Sequence, residues 1–307
     1  MQSIRYAHLP PSFQSSPTSF VSAGVSCAAT LMLPADHDGG PLPAILLVHG
    51  WGGIQKALTP PFYEEFTRAG FAVMSFDYPG WGESEGQPRN DIKPAQRVRD
   101  ANAALAHLKT LPQVDAKRIV LWGSSLGGGH VVEMAANHPE LLGAIAQVPM
   151  LDGIAAVRAV PLLRMLRFGL YAIADLLRFG RRRLYIPLIS EPGAFGSMDR
   201  DDAHKALVMA KAATGMNYDN RITARSLLTM GPYRPGQWLK DIRIPTLIVG
   251  GTRDTVAPFT KSNIDRLNNP HLQTHAIDAH HFEPYFEPAF SELIGYELKF
   301  LKSLVAR

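Results

Sequence analysis

Six short stretches of the chain read as β-strands: residues 43–50 (PAILLVHG), 71–78 (FAVMSFDY), 118–123 (RIVLWG), 144–150 (AIAQVPM), 246–251 (TLIVGG) and 272–279 (LQTHAIDA). Several are apolar at nearly every position, the pattern of strands covered on both faces of a parallel sheet. Between most of them the apolar spacing lengthens to that of a helix. Residues 95–111 place Val98, Ala101, Leu105 and Leu108 on one face, and residues 62–70 close on a glycine, a helix C-cap signal. After the last strand, Phe290, Ile294, Leu298, Leu301 and Val305 give a C-terminal helix the same kind of face. This alternation predicts an α/β fold with a mostly parallel, doubly wound sheet. Residues 20–34 (FVSAGVSCAATLMLP) add an antiparallel hairpin at its edge.

The alternation breaks between residues 152 and 240. That segment is helical in pattern, rich in arginine and methionine, and interrupted by Pro192, Gly193, Gly231, Pro232, Pro235 and Gly236. It reads as a helical cap inserted into a core made of residues 1–151 and 241–307. Within it, residues 161–180 put Arg164, Arg167, Tyr171, Asp175 and Arg178 on one helical stripe and leave a broad apolar surface. The expected arrangement packs the apolar surface on the core and solvates the charges. The alternative is a surface that docks on a membrane or an acidic carrier, helped by Arg181, Arg182 and Arg183.

Composition narrows the class. Hydrophobic residues make up 46% of the 307 positions, enough for a large core. The formal net charge of +4 is mild and spread along the chain, which argues against a nucleic-acid ligand. A single cysteine, Cys27, rules out an intrachain disulfide and a cysteine metal cage, and reads as a buried thiol in a reducing compartment. The opening residues (MQSIRYAHLPPSFQSS) hold no apolar signal core, and no apolar run is long enough to span a bilayer. A soluble, cytoplasmic protein is expected.

The chemistry begins at residues 121–130 (LWGSSLGGGH). Gly123-Ser124-Ser125-Leu126-Gly127 fits G-x-S-x-G and falls between a strand and a helix, the context in which that motif forms a nucleophile elbow. The central residue of such an elbow sits on a strained turn, and neighbours two positions away must be small. Ser125 is thereby the candidate nucleophile. Ser124 is filler whose hydroxyl lies where it could cap the helix. A serine nucleophile needs a base, and two histidines, His280 and His281, follow the last strand. Asp254, in a loop after residues 246–251, completes the chain order Ser, Asp, His and would hold the imidazole in its productive tautomer. Asp152 reads instead as a turn or helix-cap carboxylate, and Asp278 and Glu283 as loop carboxylates. An oxyanion hole needs two backbone N–H donors. Leu126 supplies one, and Trp51, in the H-G-x-G-G-like stretch His49 to Gly53, the other; His49 is read as a structural support of that loop. His271, His275, His280 and His281 cluster in sequence without a geometry suited to a metal, the glycines lack the P-loop pattern, and a serine mechanism needs no cofactor.

The stretches LVHGWGG, FDYPGWGESEG, LWGSSLGGGHV and AHHFEPY resemble α/β-hydrolases, and the resemblance covers nearly the whole chain. More narrowly they resemble bacterial esterases and fungal polyketide transesterases, a group termed dienelactone-hydrolase-like or X-Pro dipeptidyl-peptidase-like. The resemblance implies a triad of Ser125, Asp254 and His281, oxyanion donors Trp51 and Leu126, and a loop shaped by Asp77 and Gly82. It departs in one place: His280 stands where the group usually has glycine. A peptidase would need a device for gripping the peptide, and no added domain supplies one. The implied activity is hydrolysis of small-molecule carboxylic esters or thioesters through an acyl-enzyme. An acyltransferase using an alcohol or amine acceptor shares the first step, and a non-catalytic binding protein would be expected to have lost a triad member. Trp51, Trp81, Phe259 and Phe282 near the mouth, with Met165 and Leu166 from the cap, suggest a pocket for hydrophobic acyl or aromatic groups.

Overall fold

The computed structural model describes residues 13–178 and 182–306. Its main sheet has eight strands: β1 (Phe13–Ser22), β2 (Val25–Pro34), β3 (Leu42–Val48), β4 (Ala72–Phe76), β5 (Val114–Ser124), β6 (Gly143–Gln147), β9 (Thr246–Gly251) and β10 (Leu272–Ile277). They lie in the order β1-β2-β4-β3-β5-β6-β9-β10. Strand β2 runs antiparallel to both neighbours, and every pair from β4 to β10 is parallel. The edge hairpin turns at Ala23 and Gly24, both with positive φ, which suits the twist of a two-residue hairpin loop.

The near-continuous apolar strands are apolar because both faces are covered. Along β3, Ala44, Leu46 and Val48 enter one core while Ile45 and Leu47 enter the other; along β5, Ile119 and Leu121 alternate with Val120 and Trp122. Helices α2 (Pro94–Leu108) and α3 (Leu126–Asn137) cover the first face; α1 (Pro60–Arg68) and α8 (Ala289–Val305) cover the second. Helix α8 buries Phe290, Leu293, Ile294, Phe300, Leu301 and Leu304. Strand β6 stops at Gln147, short of the expected residue 150. Val148 takes a positive φ, and the Met150 N–H then donates to Ser125 O at 3.0 Å, so this turn packs against the elbow.

Between β6 and β9 the chain forms α4 (Gly153–Arg158), α5 (Leu162–Leu176), a two-stranded ribbon of β7 (Tyr185–Pro187) and β8 (Arg221–Thr223), α6 (Asp201–Ala213) and two 3₁₀ turns, Ala224–Thr229 and Pro235–Asp241. The short α7 (Lys261–Asp265) follows β9. The expected orientation of the long cap helix is reversed. Part of the charged stripe of α5 faces inward: Asp175 is fully buried and accepts from Arg225 Nε at 2.7 Å, and Arg164 pairs with Asp199, while Arg167, whose guanidinium lies 4.3 Å from the centre of the Phe195 ring, and Arg178 stay exposed. The leucines face solvent. The inner side of α5 meets polar and aromatic partners on loops and a 3₁₀ turn, not an apolar sheet, so the polar stripe is the side that finds contacts. Arg181, part of the predicted arginine run, lies outside the described residues.

Candidate active site

The elbow is built by close approach. Ser125 has φ +58° and ψ −125°, a strained conformation for a residue with a side chain, at the junction of β5 and α3. A Cβ on Gly123 would lie 2.4 Å from Gly127 O, and one on Gly127 would lie 2.1 Å from Val48 O. Both positions therefore require glycine, as the motif demands. The turn lifts the Ser125 side chain out of the sheet, while Ser124 points the other way. Ser124 does not cap α3: its hydroxyl bonds the Tyr285 hydroxyl at 2.6 Å and accepts from Gln147 Nε2 at 3.2 Å.

Three side chains from separate loops meet at the elbow. Asp254, after β9, takes N–H bonds from Val256 (2.8 Å) and Ala257 (2.7 Å) on Oδ1. Its Oδ2 lies 2.6 Å from His281 Nδ1, and His281 Nε2 lies 2.8 Å from Ser125 Oγ. With the carboxylate as acceptor, Nδ1–H donates to Asp254 and leaves Nε2 to accept the serine hydroxyl. Asp254 and His281 are both buried. His280 turns away; its Nδ1 lies 2.8 Å from Arg253 O, and its N–H donates to Glu283 Oε2 at 2.7 Å. Arg253 also bonds Asp278 and Glu283, so those two carboxylates brace the histidine loop. Asp152 caps α4, accepting from Ile154 N at 2.8 Å.

The loop after β3 closes over the elbow: a Cβ on Gly50 would lie 3.0 Å from Ser125 Cβ and 3.4 Å from Leu126 N. Among the described residues, neither Trp51 N–H nor Leu126 N–H donates to a backbone acceptor. The Trp51 indole donates to Ser197 Oγ at 3.0 Å, which ties this loop to the segment between β6 and β9. His49 is structural in position: its Nε2 lies 2.9 Å from Ser75 Oγ, and burial, reinforced by the charge of Arg97, lowers its pKa to about 3. Asp77 accepts from Gln55 N–H and Glu83 N–H at 2.8 and 2.9 Å, shaping the loop after β4.

Ser125 stands on the wall of a cavity of about 360 Å³ lined mainly by apolar side chains, among them Trp51, Met150, Val160, Met165, Phe168 and Met230. Arg164, Asp199 and Arg200 add charge at its border. Of the residues expected there, Trp51 and Met165 line it. Phe282 borders a smaller hollow of about 40 Å³ that also touches Ser125. Three expectations are corrected. Trp81 is buried beneath the site, its indole donating to Asp91 O at 3.0 Å. The Phe259 ring lies against Gly250, where a Cβ would come within 2.1 Å of it. Leu166 faces solvent, because the face of α5 that turns inward is the one bearing Arg164, Met165 and Phe168. Val157, Val160, Phe168 and Met230 were missed; the helical spacing of Arg164 with Phe168 was the available signal, and it needed the orientation of α5 to be read.

Known proteins resemble the chain in sequence and in fold. The chain matches the serine aminopeptidase S33 family over residues 39–288. It is 33% identical over 289 residues to the quorum-quenching protein AidA of Acinetobacter baumannii, covering 93% of this chain and 94% of that one. It is 24% identical over 278 residues to the thiohydrolase aneE of Aspergillus aculeatus, covering 86% of each. The crystal structure of the α/β hydrolase GrgF from Penicillium superposes with a TM-score of 0.74 at 23% identity, covering 96% of this chain and all of that one. With its sheet order, its strained serine elbow and these likenesses, the chain belongs to the serine aminopeptidase S33 family of α/β-hydrolases and is an enzyme of the serine hydrolase type.

Proposed function

We propose that the protein cleaves carboxylic esters or thioesters of hydrophobic acyl groups through an acyl-enzyme on Ser125. The observation that carries this reading is the unbroken chain Asp254–His281–Ser125 opening into the apolar cavity. His281 Nε2 takes the hydroxyl proton as Ser125 Oγ attacks the carbonyl carbon, and Asp254 stabilises the imidazolium that results. The oxyanion receives the N–H groups of Trp51 and Leu126. His281 then returns the proton to the departing alcohol or thiol. Water, deprotonated by the same imidazole, releases the acid. Residues 152–240 act as the cap, walling the acyl cavity and excluding water. The thiohydrolase relative supports a thioester among the substrates, and the lone buried cysteine supports a reducing, cytoplasmic setting.

A transfer reading has one point in its favour, a 28% identity over 196 residues to a Penicillium polyketide transferase. It shares the acyl-enzyme and differs only in the acceptor. The test is fluorophosphonate labelling of the wild type and Ser125→Ala, followed by a p-nitrophenyl ester series with and without an added alcohol. Labelling and turnover lost only in Ser125→Ala support the proposal, whereas labelling retained in Ser125→Ala defeats it. New ester formed in preference to free acid supports transfer.

A further inference from the structure

Helix α5 is amphipathic with the wrong side out. Leu162, Leu163, Leu166, Leu170, Ile173 and Leu177 are between 53 and 78% exposed, a contiguous apolar row along its outer face. Single exposed leucines are ordinary; a row of this length marks a surface that meets something apolar. The sequence around it is strongly basic, although Asp199 pairs with Arg164. Between residues 153 and 190 the sequence has seven arginines (158, 164, 167, 178, 181, 182 and 183) and one acidic residue, Asp175, which is buried against Arg225. We propose that this face docks on an anionic lipid bilayer, with α5 lying in the interface plane, its leucines among the acyl chains and Arg178 and Arg182 at headgroup level. Arg178 and Arg182 are both exposed at the C-terminal end of the row. A second copy of the chain would set the basic segment against itself, with no acidic side chain on the outer face to offset it. An acidic carrier would satisfy the arginines and leave the leucine row without an apolar partner. No described helix is long and apolar enough to cross a membrane, and α5, at 15 residues, spans only about 22 Å.

Vesicle co-sedimentation tests this without turnover, so it stands apart from the catalytic proposal. The full chain should pellet with phosphatidylcholine vesicles containing phosphatidylglycerol, far less with phosphatidylcholine alone, and be released by raised salt. The double variant Leu163→Glu/Leu170→Glu should lower the bound fraction about tenfold or more while keeping its circular dichroism and its hydrolysis of p-nitrophenyl butyrate. Absence of binding to anionic vesicles, equal binding to neutral ones, or undiminished binding of the double variant would overturn the proposal. So would a solution dimer that the double variant converts to monomer, since a second copy would then occupy the face.

A separate observation concerns Arg97, on α2. It is fully enclosed; its guanidinium carbon lies 4.3 Å from the centre of the Tyr78 ring and 4.9 Å from that of Trp81. Nη1 donates to Gly50 O at 2.8 Å, and among the described residues Nε and Nη2 have no acceptor. A buried cation this sparsely bonded is costly, so its single anchor matters. That anchor is the carbonyl end of the peptide unit whose other end is the Trp51 N–H. The geometry assigns Arg97 as a positioning residue for the oxyanion hole: because the peptide is planar, fixing the Gly50 carbonyl aims the Trp51 N–H, and the positive charge on the oxygen makes that N–H a stronger donor. Tyr218 braces the same loop two peptide units on, its hydroxyl donating to Gly52 O at 2.7 Å. Burial lowers the Arg97 pKa to about 10, which leaves it cationic at neutral pH.

This inference rests on the hydrolase proposal with Trp51 as donor. Arg97→Met should lower kcat about tenfold to a hundredfold with KM unchanged, equally for acetyl and longer esters, and slow fluorophosphonate labelling of Ser125 in parallel. Arg97→Lys, which keeps the charge, should recover part of the loss and serves as the test should the methionine variant fail to fold. Wild-type kcat in a folded Arg97 variant, or a rise in KM alone, would overturn the assignment. A wild-type enzyme that takes no label at all would count against the hydrolase proposal instead.

Discussion

Helices α5 and α8 are both amphipathic and of similar length, 15 and 17 residues, yet they are seated in opposite ways. Helix α8 lays its apolar face on the sheet, where β9 and β10 offer a continuous apolar surface. Helix α5 turns its leucines to solvent and Arg164 and Asp175 inward, because Asp199 and Arg225 wait on the inner side. Amphipathicity states that a helix has two different faces. Which one is buried depends on what the rest of the chain brings to it.

The contrast between the sheet region and the segment between β6 and β9 can be tested most decisively at the proposed site. His281→Ala should reduce kcat for a soluble ester by about four orders of magnitude or more, while His280→Ala should lose little, since His280 braces a loop. Steady-state kinetics on the two variants decide it; the reverse order would mean that the histidine loop rearranges in solution.

The helices themselves come next. Leu301→Ala empties a fully buried position of α8 and should cost about 2–5 kcal/mol in urea unfolding. Leu170→Ala, on the exposed face of α5, should change stability by no more than about 0.5 kcal/mol. Similar costs for the two would show that α5 packs its leucines inward after all.

A pH titration sharpens the same contrast from the core side. Glu297 of α8 is fully buried against the Trp122 indole, and burial pushes its pKa up to about 8. Its folded pKa lies above the unfolded value, so the stability it contributes is present below about pH 4.5. That contribution falls at up to about 1.4 kcal/mol per pH unit as pH rises toward 8. Glu297→Gln keeps an acceptor for the indole and does not titrate, so its stability relative to wild type should rise between pH 5 and 8 in denaturant unfolding. A pH-independent difference would place the carboxyl in contact with water.

The smallest effect concerns the α5 side of the cavity. Met165→Lys should weaken turnover of long acyl esters more than of acetyl esters, at about 0.8 kcal/mol, or roughly fourfold, for each methylene that loses its apolar contact. Leu166→Lys, pointing outward, should leave the chain-length profile unchanged. A profile altered equally by both would dissolve the distinction between the two faces of α5.

Much of this was legible in the sequence. The alternation of apolar strands and helical spacing specified a parallel sheet covered on both sides, because burial on two faces leaves no polar positions in Ile45–Leu47 or Val120–Trp122. Gly123 and Gly127 around Ser125 announced the elbow, because only hydrogen fits where two backbones come within van der Waals contact. These are local signals, written in neighbouring residues. What the tertiary structure alone decided rests on partners distant in sequence. Ser125 and His281 are 156 residues apart; the resemblance pointed to His281, but neighbouring residues did not, and it is the path of the loop after β10 that turns it and not His280 toward the serine. Asp175 and Arg225 are 50 apart, and their pairing set which face of α5 looks inward and hence which side chains line the cavity. Trp81 and Phe259, aromatic and near the site in sequence terms, were drawn instead into packing with Arg97 and Gly250, since a buried contact is chosen by the space that folding leaves and not by the residue's own chemistry.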